Sequence, residues 1–225
     1  MRVSTNTIER QTGPEPSATV IWLHGLGADG NDFVPLVDEL QLPPGAALRF
    51  VFPQAPSIPV TGNNGYVMPA WYDIYTFSAI GRRVDETGII NSRETVRQLI
   101  AAEIARGVAA ERIVVGGFSQ GAAMAYVSGL THPDRLAGIV ALSGYIPAPQ
   151  LVANEGSPAN ADVPLFIGHG GADNVVPLAL GEQARSLMDN GQRDVAWRVY
   201  PIAHTVSPEE IADLRKWFMA VLFDR

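Results

Sequence analysis

Six short apolar runs rich in β-branched residues recur along the chain: TVIWLHG (19–25), LRFVFPQ (48–54), RIVVGGFS (112–119), LAGIVALSG (136–144), PLFIGHG (164–170) and VAWRVYP (195–201). Runs that are apolar at nearly every position suit parallel strands covered by helices on both faces. The predicted fold class is therefore α/β, a mostly parallel central sheet between helical layers. Between the second and third runs, NSRETVRQLIAAEIARG (91–107) places Val96, Leu99, Ile100 and Ile104 at helical spacing, so these four should face the sheet. SPEEIADLRKWFMAVLF (207–223) predicts a closing helix with Ser207 as N-cap, Pro208 as its first residue and Glu210 completing a capping box. Its stripe of Ile211, Leu214, Trp217, Phe218, Val221 and Leu222 reads as core packing rather than as a partner-binding face.

Residues 53–88 break the pattern. They hold prolines, glycines and aromatics without a sustained period, and a long irregular connection inside a compact domain is usually functional. The segment is a candidate wall for a binding site. With no internal repeat or low-complexity tract, residues 1–225 read as one domain.

Composition narrows the chemistry by exclusion. The formal net charge is -7 and the basic residues are scattered, the pair Arg82-Arg83 included, which does not suit a protein that neutralises many phosphates. Nucleic acid is not an expected partner. There is no cysteine, so disulfides, thiolate metal sites and a thiol nucleophile are all excluded. The first twenty residues contain no signal-peptide core, and no run reaches the ~20 apolar residues of a membrane span. The reading is a soluble, cytoplasmic protein without stable membrane insertion, although a lack of cysteine fits either redox compartment.

One motif carries the chemistry. Gly117-Phe118-Ser119-Gln120-Gly121 lies between an apolar strand and a segment of good helix formers, QGAAMAYV. The chain must reverse sharply there, and glycines two residues either side let the backbones approach, as a G-x-S-x-G nucleophile elbow requires. Such a turn lifts Ser119 to the carboxyl end of a parallel strand, at the start of a helix whose amides are unpaired.

A serine hydroxyl needs a base, and the base needs an orienting group. In this kind of fold the chain order is Ser, acid, His. Of the four histidines, His24 precedes Ser119, His132 falls at the far end of the helix after it, and His169 lies in or just after a strand and ahead of the acid. His204, in the loop after the last strand run, is the best base. Asp173 in GHGGADNVVP occupies the loop after the preceding strand and is the best acid, whereas Asp162, Asp189 and Asp194 sit at ordinary turn or helix-end positions. For an oxyanion hole, the amide of Gln120 follows the nucleophile and the amide of Leu26 belongs to the glycine-rich HGLG after the first strand run. His24 reads as a structural brace for that loop.

With these residues assigned, the chain resembles the phospholipase/carboxylesterase family of α/β-hydrolases, which includes bacterial carboxylesterases and acyl-protein thioesterases. The resemblance runs from IWLHGLGADGNDF through PVTGNNGYVMPAWYDI, GGFSQGAAMA and LSGYIP to GHGGADNVVP and HTVSPEEI. It implies an α/β-hydrolase fold without a large cap domain, a Ser119–His204–Asp173 triad, no metal or organic cofactor, and a monomer or weak homodimer. It also implies an acyl cleft along the loop of Trp71, with Met68, Phe77, Ile80 and Val176 as further lining residues. One departure is Ala203, where relatives usually have glycine before the catalytic histidine. Three functions remain open: a carboxylesterase for short to medium acyl esters, a thioesterase or lysophospholipase for long acyl chains, and a non-catalytic module that has kept the fold.

Overall fold

The computed structural model describes residues 6–77, 81–189, 191 and 193–224. In chain order its elements are β1 (Thr7–Gln11), β2 (Ala18–Leu23), α1 (Leu36–Glu39), β3 (Leu48–Pro53), β4 (Ser57–Val60), β5 (Tyr66–Pro69), β6 (Ile74–Thr76), β7 (Arg83–Val84), α2 (Glu86–Ala105), β8 (Ile113–Phe118), α3 (Gln120–Leu130), β9 (Gly138–Leu142), α4 (Pro149–Glu155), β10 (Leu165–Gly170), α5 (Leu178–Met188), β11 (Val195–Tyr200) and α6 (Pro208–Leu222). The central sheet has the order β1-β3-β2-β8-β9-β10-β11. All neighbours are parallel except β1, which runs antiparallel to β3 at one edge.

Alternate strand residues enter different cores, because successive side chains of a strand point to opposite faces. Ile21, Val115, Ile139 and Ile167 pack with residues of α2, α3 and α5 on one face. Val20, Trp22, Val114, Val140 and Phe166 pack with α1 and α6 on the other. Both faces being covered explains why the strands read as continuous apolar runs. The predicted stripe of α6 is buried throughout, and full burial of a side chain such as Leu214 or Phe218 contributes roughly 1.5–3 kcal/mol.

Four local expectations change. β1 escapes the apolar-run signal because an edge strand here is only half buried, with TIERQ largely polar. The 53–88 segment is not structureless: β4–β5 and β6–β7 form two small antiparallel ribbons, and α2 begins within it at Glu86. Ile104 is 38% exposed rather than facing the sheet. In its place α2 turns Glu103 inward, where the carboxylate accepts from Thr19 Oγ1 at 2.7 Å and lies 3.7 Å from Arg49 Nε. Finally, the capping box forms by half. The Glu210 amide donates to Ser207 Oγ at 3.1 Å, but the Glu210 carboxyl is buried over β10 at Gly168 and makes no hydrogen bond.

Candidate active site

Ser119 closes the turn between β8 and α3 with φ 56 and ψ -116, a conformation L-residues rarely adopt. Two close approaches hold it. A Cβ at Gly117 would fall 2.5 Å from the Gly121 carbonyl carbon, and one at Gly121 would overlap Leu23 O and come within 2.7 Å of His24 O. The strained turn thus wedges against the end of β2, and the Ser119 amide donates to Leu142 O of β9 at 2.9 Å. The backbone cost, of order 1–3 kcal/mol, is carried by that surrounding packing.

His204 and Asp173 arrive from adjacent strands. The loops after β10 and β11 are laced by Gly171 N–H to Tyr200 O at 2.7 Å and Ala172 N–H to Ile202 O at 3.0 Å. Gly170 permits this, since a Cβ there would collide with Ala203 O and lie 2.5 Å from Ile202 O. His204 Nδ1 donates to Asp173 Oδ2 at 2.6 Å, which leaves Nε2 to accept from Ser119 Oγ at 3.0 Å. The Phe118 ring packs at 4.6 Å, centroid to centroid, on the imidazole. The other carboxylate oxygen, Asp173 Oδ1, accepts from the amides of Val175 and Val176 at 2.9 and 2.8 Å. Burial pushes the Asp173 carboxyl up, but the His204 bond and the two amides outweigh it and hold it below the usual carboxylate range.

The loop after β2 packs on the serine, with Gly25 so close that a Cβ would lie 3.5 Å from Ser119 Cβ. His24 braces this loop: Nδ1 donates to Gly25 O at 2.8 Å and Nε2 accepts from Ala55 N–H at 3.1 Å. Burial lowers the His24 pKa, consistent with a neutral ring that uses both nitrogens. Gly27 N–H donates to Pro69 O at 2.8 Å. Among the described residues, the amides of Leu26 and Gln120 donate to no protein acceptor, the condition for two donors aimed at a developing oxyanion.

The predicted cleft residues separate into two groups. Met68 is partly exposed beside Gly27, and Phe77 is 46% exposed. Trp71 and Val176 are instead buried, at 2% and 0%, and form no open wall. Trp71 Nε1 donates to His24 O at 2.9 Å, and its amide donates to Gln120 Oε1 at 2.9 Å. Val176 serves through its backbone, as above. Ile80 lies outside the described residues. A cleft of 390 Å³ opens at His204, lined by Phe33, Leu36, Phe118, Val206 and Ile211, with Asp32 and Glu39 among its polar residues.

A model of the family described as phospholipase/carboxylesterase matches residues 5–222. The chain belongs to the phospholipase/carboxylesterase family. Acyl-protein thioesterase 1 of Saccharomyces cerevisiae is 39% identical over 202 residues, covering 87% of this chain and 89% of that protein. Among solved structures, Arabidopsis thaliana SOBER1 superposes with a TM-score of 0.86 at 29% identity, covering 91% of this chain and 99% of that one. Zea mays acyl-protein thioesterase 2 gives 0.82 at 32% identity, covering 96% and 99%. The fold of this phospholipase/carboxylesterase family member is that of the α/β-hydrolases.

The Ala203 departure is accommodated locally. Ala203 is not among the residues of positive φ, so its position does not demand glycine, and its carbonyl accepts from Thr205 N–H at 3.0 Å across His204. Other supports of the site have no sequence signal. The Gln120 side chain, which stitches α3 to Trp71 and to Tyr72 O at 2.8 Å, and the Tyr72–Tyr145 hydroxyl pair at 2.8 Å join positions far apart in the chain. Neither pairing follows from periodicity. Among the described residues, no group of three or more His, Asp or Glu could hold a metal ion, and no helix is long and apolar enough to cross a membrane.

Proposed function

We propose that this protein is a serine carboxylesterase that cleaves short to medium acyl esters through an acyl-enzyme. The reading is carried by the hydrogen-bonded path from Asp173 through His204 to Ser119. His204 Nε2 takes the Ser119 proton as Oγ attacks the acyl carbon, and the carbonyl oxygen, now negative, settles against the amides of Leu26 and Gln120. Removing one such donor typically costs about 3 kcal/mol of transition-state stabilisation. As the carbonyl re-forms, the bond to the leaving oxygen breaks and His204 returns the proton to it. Water then repeats the sequence on the acyl-enzyme, releasing the acid and restoring Ser119. Asp173 remains ionised, orienting His204 and balancing its transient charge.

Under this reading Met68 and Phe77 border the acyl group and the His204 cleft receives the departing alcohol. The chain acts as one cytoplasmic domain, a monomer or weak homodimer, on a small ester or acyl substrate, and its steps use protein groups and water without a cofactor. A second reading, a thioesterase acting on long acyl chains carried by proteins, is favoured by the names of the curated relatives. A panel of esters and thioesters differing only in acyl length separates the two. A maximum at short to medium esters supports the first. A maximum at long thioesters, with release of acyl groups from a protein, replaces it with the second. Failure of folded protein to cleave any of them or to react with a fluorophosphonate at Ser119 would sink both and favour a non-catalytic module.

A further inference from the structure

His169, in β10, is a fully buried histidine that the proposed chemistry does not use. Its Nε2 lies 2.8 Å from Val176 O, and because a carbonyl only accepts, Nε2 carries the hydrogen. Nδ1 is therefore bare, and it has no hydrogen-bond partner. It abuts α5 at Gly181, where a Cβ would overlap Nδ1 and lie 2.9 Å from Cε1. Burial lowers the His169 pKa and favours the neutral ring. The ionisable groups that act on it are Asp173, whose Oδ2 is 3.8 Å from Nε2, then His204 from the neighbouring loop and Glu182 from α5. Trp197 of β11 flanks the ring at 6.4 Å.

Packing alone does not account for an imidazole here. A bare ring nitrogen taken out of water without a partner costs free energy that an apolar side chain would not. What the imidazole supplies is its Nε2–H. Val176 is gripped through both of its backbone groups: its N–H donates to Asp173 Oδ1 at 2.8 Å and its C=O accepts from His169 at 2.8 Å.

We propose that His169 is a positioning residue for the candidate catalytic acid, holding the 173–176 turn so that Asp173 presents Oδ2 to His204 Nδ1. The proposal rests on the Ser119–His204–Asp173 reading. The chain of control runs from His169 through the Val176 backbone to Asp173, and no proton leaves His169 in the reaction.

The test compares His169→Phe, which keeps the bulk and loses the donor, with His169→Gln, whose terminal amide N–H falls near the place of Nε2. Turnover is counted per site titrated by fluorophosphonate, so unfolded protein does not enter. The Phe variant should lose kcat by roughly tenfold to a hundredfold, the range seen when outer partners of site ligands are removed, while KM stays nearly constant. The acid limb of its kcat/KM profile should move to lower pH, because a displaced carboxylate stabilises the His204 cation less. The far-downfield proton resonance of the His204–Asp173 hydrogen bond should weaken or shift. The Gln variant should recover most of all three. If the Phe variant does not accumulate folded, His169→Asn, whose amide reaches only as far as Nδ1, takes its place. Wild-type kcat, acid limb and resonance in the donor-less variant would overturn the proposal, as would equal losses in the Phe and Gln variants. The resonance is read without turnover, so an inactive wild-type protein would sink the proposed function while the resonance still decided the role of His169.

Discussion

His204 Nδ1 stands 2.6 Å from Asp173 Oδ2, although the two residues enter from loops of different strands. The Gly171–Tyr200 and Ala172–Ile202 bonds fix the two loops to each other before either reaches Ser119. Asp173 and His204 are thus delivered as one preassembled pair, as the proposed acid and base roles require.

Replacing Asp173 with Asn should lower kcat on the order of ten-thousand-fold with little change in the fold, since an amide favours the wrong histidine tautomer. Steady-state kinetics beside circular dichroism checks this. Near-normal turnover would assign the orienting acid elsewhere.

Trp71→Phe removes the indole donor to His24 O while keeping most of the buried ring. The loop after β2 then loses one of its ties, and kcat should drop by roughly fivefold, the scale of about 1 kcal/mol for a net hydrogen bond. KM should move less than kcat. An equal rise in KM would instead mean that the indole acts in ground-state binding.

Gly121→Ala places a methyl against Leu23 O and His24 O. Both are backbone atoms of the strand end and the loop after it, so neither can rotate away, and overpacking of this kind typically costs about 1–3 kcal/mol. Urea melts should show that loss together with reduced labelling of Ser119. A wild-type midpoint would mean that the elbow and β2 can separate at little cost.

Legibility in the sequence followed the physics of each part. Strands buried on both faces announce themselves by composition, so β2, β3, β8, β9 and β10 could be read directly, and the edge strand β11, though mostly half-buried or exposed, kept a readable apolar run in VAWRVY. β1, half buried at an edge, could not. That Ser119, Asp173 and His204 would come together was readable because each sits just beyond the carboxyl end of a readable strand. Trp71 and Val176 were misread as cleft lining because a segment rich in aromatics signals a site but not which way each side chain turns. Glu103 and Ile104 show the same limit one residue apart: a hydrogen bond from Thr19 on β2 and an ion pair with Arg49 on β3 draw Glu103 inward and override the apolar period of α2.

Glu210 gives a pH prediction. Burial pushes its carboxyl up to about 8, against 4.5 as its ordinary value, over a smaller opposing pull from the Ser207 backbone. Tyr200 and Asp213 share its surroundings, and Glu210 helps hold the Tyr200 hydroxyl protonated. The folded protein keeps a proton here that the unfolded chain gives up near pH 4.5. Stability contributed by this group therefore falls as pH rises from about 4.5 to about 8 and stays low above that. Glu210→Gln should melt progressively higher than wild type across this window, with the largest gain on the alkaline side. Parallel melting curves across pH 5 to 9 would contradict a carboxyl held protonated by burial.

Met68 and Phe77 belong to, or adjoin, ribbons outside the central sheet, whereas the three proposed reacting side chains are rooted in it. The two parts of the cleft consequently answer to different constraints. Under the proposed function, substitutions in the ribbons would reshape what the cleft admits without disturbing proton transfer, giving divergence in acyl preference a route that spares hydrolysis itself.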